Sequence, residues 1–197
     1  MTSTIQHLFS GINVVPIVTA LRQHPELWNQ HPHRSESPGS PHQGISDIWL
    51  RLNDYSNWAG DMAAFNKEHT SVWYPSADLI PVKDICYDLM ATMRGDRLGA
   101  VLLTCIPPGG QCKPHVDGGW HAGHYRKFGV QLQGNLKQAF HVADDAFSAV
   151  AGDVYEFDNS KLHWITNDSD EPRMTLIVCI KTETRSTVCQ QDGYQQQ

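Results

Sequence analysis

Four residues, taken with their spacing, constrain this chain more than anything else in it. They are His115 and Asp117, then His163, then Arg173 ten positions later. Successive side chains of a strand point to opposite faces, so a His-x-Asp pair at a strand end shares one face. An imidazole and a carboxylate so placed form two corners of a metal site. His163, in Asp158-Asn159-Ser160-Lys161-Leu162-His163-Trp164, supplies a third. Any fold of this chain must therefore bring two distant segments to one point.

Two histidines and one carboxylate can occupy one triangular face of an octahedron and leave the opposite face open, the donor pattern of non-haem Fe(II) oxygenases. A 2-oxo acid fills two of the three open positions through its carboxylate and keto oxygen, and dioxygen takes the third. The far carboxylate of such a cosubstrate needs its own anchor. Arg173 opens the last expected strand, and its planar fork suits a bidentate carboxylate contact. Thr175 shares that strand face and adds a hydroxyl. Taken singly, each histidine reads better as an ordinary core or loop residue; the order His-x-Asp, His, Arg-x-Thr makes the ligand reading the stronger. The run His115-x-Asp117-x3-His121-x2-His124 also admits a local zinc site. Zinc prefers four tetrahedral ligands, and that reading leaves His163 and Arg173 without a role. His121 and His124 then read as a polar loop at the mouth of the site.

At 197 residues the chain is expected to form one domain with a real core. A net charge of −6 with no basic run argues against nucleic-acid binding. Five cysteines without a CxxC pair read neither as a disulfide framework nor as a zinc cluster, which points to a reducing, cytoplasmic setting. No apolar run approaches the roughly 20 residues that span a bilayer, so no membrane role is expected. The apolar patch Ile12 to Leu21 lacks a basic leader and contains Pro16, a poor signal peptide.

Apolar spacing predicts helices over Val15 to Trp28 and Val82 to Met93, with a long polar loop over 31–46. The histidines of that loop (His31, His33, His42) read first as solvated, and a substrate-covering role for the loop stands beside that reading. Strands are expected over Ile48–Leu52, Ala100–Ile106, Phe128–Gln133, Ala139–Val142, Val154–Phe157 and Arg173–Lys181. In the last of these, Met174, Leu176, Val178 and Ile180 share one face, and Arg173, Thr175, Ile177 and Cys179 the other. The expected organisation is a helical and irregular support over 1–98, a β core over 99–182, and a polar tail over 183–197.

The C-terminal half resembles the Fe(II)/2-oxoglutarate oxygenases, most closely the aspartyl/asparaginyl β-hydroxylase-like family. The residues that carry the likeness are Pro108-Gly109-Gly110, His115-Val116-Asp117, Tyr125 to Leu132, Gly152 to His163, Asn167 and Arg173. The resemblance implies a mainly β fold with supporting N-terminal helices, a double-stranded β-helix (a cupin-like jelly roll) with iron at its open end. It implies His115, Asp117 and His163 as metal ligands, Fe(II) as the metal, and 2-oxoglutarate and dioxygen as cosubstrates. Arg173 would pair with the distal carboxylate of 2-oxoglutarate. The family carries an Arg-x-His after the first ligand, matched here by Arg126-Lys127-Phe128, so Arg126 is carried over as a second cosubstrate contact, although Phe128 departs from the pattern. Thr104 falls where the family often places a small hydroxyl residue near the cosubstrate. Asp117 is retained, so the open iron position that a halogenase uses for chloride is not evident.

The expected activity is hydroxylation of an amino-acid side chain, free or in a peptide or protein, with 2-oxoglutarate decarboxylated to succinate. A non-catalytic jelly-roll module that senses a small carboxylate or metal is the alternative, but it needs no complete set of His115, Asp117, His163 and Arg173. A cupin metalloenzyme usually presents His-x-His before its carboxylate, which Asp117 disfavours.

Overall fold

The computed structural model describes residues 4–182, so the polar tail expected from Glu183 onward lies outside the described residues. The N-terminal part runs β1 (Ile5–Phe9), α1 (Val15–Gln23), α2 (His33–Glu36), β2 (Ser46–Leu52), α3 (Met62–Phe65), β3 (Val72–Trp73), α4 (Ser76–Leu79) and α5 (Lys83–Thr92). The C-terminal part runs β4 (Gly95–Ile106), β5 (Gln111–His115), α6 (Gly119–His124), β6 (Arg126–Gln133), β7 (Gln138–Val142), β8 (Asp145–Phe147), β9 (Val154–Phe157), β10 (His163–Asn167) and β11 (Arg173–Thr182). Both long expected helices form, each a residue or more shorter than its apolar pattern. The expected strands form too, with β1, β3, β5, β8 and β10 in addition.

The strands make two antiparallel sheets. The larger has the order β1-β9-β6-β11-β4-β2-β3, and the smaller β5-β10-β7-β8. Two such sheets closing on one another give the jelly roll that the resemblance implied. The outer face of the large sheet is apolar because its alternating strands put Phe128, Val130 and Leu132, and likewise Leu176, Val178 and Ile180, on one side. That face packs against Ile17 and Leu21 of α1 and Cys86 and Leu89 of α5, which is why a helical segment precedes the β core. No helix among the described residues is long and apolar enough to cross a membrane.

The same alternation turns Arg173, Thr175, Ile177 and Cys179 inward, with Ala100, Leu102, Thr104 and Ile106 beside them on β4. Asn167 fixes where β11 begins. It is fully buried, and its side-chain amide donates to the carbonyls of Ile106 (3.1 Å), Pro107 (2.9 Å) and Glu171 (2.8 Å). This ties the end of β4 to the turn that delivers Arg173 opposite Ile106.

Candidate metal centre and its cavity

Pairing of β5 with β10 sets His115 directly opposite His163, and the two imidazole centroids lie 4.2 Å apart. Asp117 follows two residues after the end of β5. Its backbone N–H donates to the Asn159 carbonyl at 3.1 Å, which turns the carboxylate toward the two rings. His115 Nε2 stands 3.6 Å from Asp117 Oδ1, and His163 Nε2 stands 3.8 Å from Oδ2. One ligand atom from each residue falls within a 4.8 Å cluster, a donor set that could hold a metal ion.

The hydrogen bonding behind the cluster fits that use. His115 Nδ1 faces the Lys113 carbonyl at 2.8 Å, and His163 Nδ1 faces the Lys161 carbonyl at 2.9 Å. A carbonyl only accepts, so each Nδ1 carries the proton and each Nε2 presents its lone pair inward. Burial lowers both imidazole pKa values, with each backbone bond opposing it, which favours the neutral form that a metal needs. Burial would push the Asp117 carboxyl up, but Lys127 and the two imidazoles outweigh it and hold it well below the usual carboxylate range. Lys127 Nζ is bonded to Asp117 Oδ2, and Asn159 Nδ2 donates to the same oxygen at 3.3 Å. Oδ1 is therefore the oxygen turned to His115.

Arg173 lies deeper in the same cavity and is 2% exposed. Its guanidinium donates to Thr175 Oγ1 at 2.7 Å and to Tyr155 Oη at 3.0 Å, both neutral. Among the described residues no carboxylate pairs with it. A buried cation surrounded by hydroxyls is costly unless an anion joins it, so the donor set fits a small carboxylate ligand. Thr175 donates onward to Gln131 Oε1 at 3.2 Å, and Thr104 donates to the Thr175 carbonyl at 3.4 Å. Tyr155 reaches Arg173 by crossing Gly129, where an added Cβ would come within 2.3 Å of the Tyr155 ring. The cavity lined by Arg173, Tyr155, Thr104 and the three candidate ligands has a volume of about 360 Å³, toward the lower end of ligand pockets.

Of the residues singled out in the sequence, His115, Asp117, His163, Arg173 and Thr104 line this cavity, and Thr175 lies behind Arg173, bonded to its guanidinium. Arg126 does not, and the expectation of a second cosubstrate contact there is corrected. Arg126 shares parity with Phe128 on β6, so it points away from the cavity, where it pairs with Glu156 and donates to Thr182. Its neighbour Lys127 faces inward instead. Lys127, Tyr155 and Asn159 are the residues that sequence reading passed over. The alternation of β6 held the signal for Lys127: if 128, 130 and 132 face the helices, 127, 129 and 131 face the cavity.

The segment between α1 and β2 covers the site. His42 touches Cys112 Sγ at 3.3 Å, and its ring stands 4.9 Å from that of His115. Arg34 anchors the segment by donating to Asp47 Oδ2 at 3.1 Å and contacting His42 Nδ1 at 3.2 Å. His31 and His33 stack instead in an aromatic group with Trp49, Tyr55 and Trp58. His121 is not a ligand of the cluster; its Nε2 accepts from the Ala100 N–H at 3.2 Å, and burial with Lys127 nearby pushes its pKa down to about 3.

Residues 79–182 match the family model described as Aspartyl/Asparaginyl beta-hydroxylase. No curated protein sequence matches the chain. Among solved structures, a prolyl hydroxylase from Trichoplax adhaerens, in complex with a hypoxia inducible factor oxygen degradation domain peptide fragment, is 10% identical. It covers 92% of this chain and 85% of its own, with a TM-score of 0.60. A viral collagen prolyl hydroxylase from Paramecium Bursaria Chlorella virus-1, a 2OG complex, is 8% identical over 92% of this chain and 97% of its own, with a TM-score of 0.55. The chain spans 60% of the length of a Cupin 2 conserved barrel domain protein from Salinispora arenicola, at 20% identity over 41% of this chain and a TM-score of 0.32. At these identities the likeness is one of fold.

Proposed function

This chain belongs to the aspartyl/asparaginyl β-hydroxylase family, and from that premise we propose that it is an Fe(II)- and 2-oxoglutarate-dependent dioxygenase that hydroxylates an amino-acid side chain. One observation carries the reading: the inward Nε2 atoms of His115 and His163 and the Asp117 carboxylate converge in the cavity whose base holds the uncompensated cation Arg173. The fold likeness to a peptide-bound prolyl hydroxylase supports a peptide or protein substrate over a free amino acid.

In this reading His115, Asp117 and His163 hold the iron, and the Lys113 and Lys161 carbonyls keep both rings in the ligating tautomer. Bound Fe(II), with 2-oxoglutarate and dioxygen, supplies the oxidation that yields succinate and carbon dioxide and delivers a hydroxyl group to the substrate. Arg173 takes the distal carboxylate of 2-oxoglutarate in a charge-assisted pair, and Thr175 and Tyr155 keep its fork in place. Thr104 supports Thr175 from the neighbouring strand. The buried aromatic and aliphatic walls of the cavity exclude water from the reacting groups.

The test is succinate formation from 2-oxoglutarate by protein loaded anaerobically with Fe(II), with and without a panel of amino acids and peptides. Succinate that requires Fe(II) and disappears in Asp117→Ala and His163→Ala, with the fold retained in both, is the expected result. Binding of 2-oxoglutarate without succinate from any panel member would instead make the protein a carboxylate- or metal-sensing module.

A further inference from the structure

The inner face of the large sheet is divided by polarity, and the division follows the strand register. One row across the sheet is polar: Gln131 on β6 lies opposite Thr175 on β11, which lies opposite Thr104 on β4, which lies opposite Asp47 on β2. Arg173 is two residues beyond Thr175 on that side. The next row toward the other end runs Tyr155, Gly129, Ile177, Leu102 and Trp49. The row after it holds Lys127 and Cys179, with Ala100 at the same level on β4. Lys127 is committed to Asp117, so this apolar end adjoins the metal triad on the side away from Arg173.

The apolar end is closed by further carbon. Trp49, Leu52, Ala100 and Cys179 form one buried cluster with Leu102, Met62 and Ile177 packed against it. All of these line the cavity. Three cations line the cavity: Arg34 is held by Asp47, Lys127 at the edge of the apolar end is held by Asp117, and Arg173, which has only the neutral Thr175 and Tyr155 beside it, lies at the opposite end. The two imidazoles nearest the apolar end are engaged as well, His33 with the Tyr55 hydroxyl at 2.8 Å and His121 with the Ala100 N–H. A carboxylate entering this end would be desolvated against aliphatic and aromatic carbon, and the cation at its edge, Lys127, is already paired with Asp117.

We propose that the apolar end of the cavity receives an uncharged aliphatic side chain, so that the hydroxylated group is an aliphatic C–H and not part of the acidic or amide side chain in the family's name. This rests on the oxygenase reading above for the chemistry, but on the cavity alone for the class of ligand. Hydrophobic pockets distinguish shapes weakly and exclude unpaired charge strongly, so the preference is for a class and not for one residue.

The experiment is a binding panel of N-acetyl amides of leucine, isoleucine, proline, aspartate, asparagine and lysine. Wild-type protein is titrated calorimetrically, once without metal and once with Fe(II) and 2-oxoglutarate under anaerobic conditions, and succinate is then followed after oxygen is admitted. The aliphatic amides are expected to bind about 100-fold or more tighter than the aspartate amide and to be the ones that stimulate succinate. Equal or tighter binding of the aspartate or asparagine amide, or no binding of any aliphatic amide, overturns the proposal. Aliphatic binding with no succinate under any condition upholds the ligand class and overturns the oxygenase reading, so the two failures are separable. Leu102→Arg, which sets a guanidinium in the middle of the apolar row, is expected to reverse the preference toward the aspartate amide. Should that variant not fold, Leu102→Ala is expected to weaken leucine amide binding about tenfold and leave aspartate amide binding unchanged. Equal loss for both amides would count against the proposal.

Discussion

Lys127 has no role in the sequence reading and a central one in the structure. Its ammonium sits on Asp117 Oδ2, the carboxylate that the metal reading needs, and no other carboxylate bonds it among the described residues. A dication entering between His115, Asp117 and His163 would meet that positive charge at close range in a partly desolvated site, where Coulomb terms of several kcal/mol arise at an effective dielectric near 20. Lys127→Met is therefore expected to tighten metal binding by about tenfold or more, read by calorimetry with Mn(II); weaker binding would mean that the ammonium holds Asp117 in its ligating pose. Arg173 and Arg126 make a second contrast. Arg173→Met should raise the 2-oxoglutarate concentration needed for half-maximal binding steeply, because a charge-assisted bond contributes roughly 1.5–3 kcal/mol. Arg126→Ala should leave it unchanged, since Arg126 is paired with Glu156 outside the cavity. That His115, Asp117, His163 and Arg173 would converge was legible because their residue types and spacing are chemically restrictive. The family pattern points to Arg126, but the alternation of β6 turns it outward onto Glu156, because one step along a strand changes the face.

At the level of elements, the segment from His33 to Ile45 does the least regular and most consequential work. It was legible as irregular and as a candidate cover, but which of its histidines would reach the site was not, because that depends on a long-range anchor. The anchor is Arg34 on Asp47, whose side chain is 1% exposed and whose carboxyl is pushed up by burial even with the arginine beside it. Removing one partner of a buried pair leaves a desolvated charge behind. Arg34→Met is expected to cost about 3 kcal/mol in urea unfolding, and Asp47→Asn added to it should recover most of the loss. Full additivity of the two changes would show that the pair does not hold the segment. The strands missed from sequence have identifiable causes. Ile5–Phe9 and Asp145–Phe147 are short, half-exposed and at or near sheet edges, so neither shows a clean apolar alternation. Gln111–His115 carries Pro114 and one buried position, Cys112, and it is a strand because β10 pairs with it.

Across the whole molecule, the buried imidazoles give the fold a common response to acid. His31, His42, His115, His121 and His163 all have pKa values lowered mainly by burial. Each therefore binds a proton more readily in the unfolded chain than in the folded one. The stability that follows from keeping them neutral is complete above about 6.5, the ordinary imidazole value, and is lost as pH falls below it toward the depressed folded values. The melting temperature of the metal-free protein is accordingly expected to fall between about pH 6.5 and pH 5. Metal binding should respond differently. Ligand imidazoles that are already neutral need release no proton, so the gain in melting temperature from saturating Mn(II) and 2-oxoglutarate should persist below pH 6.5. At a ligand concentration 100 times its dissociation constant that gain corresponds to about 2.7 kcal/mol. It should vanish on chelation and in His163→Ala. A gain that instead faded with a midpoint at or above 6.5 would mean that His115 and His163 titrate as exposed imidazoles do, which would overturn the assignment of both as neutral ligands.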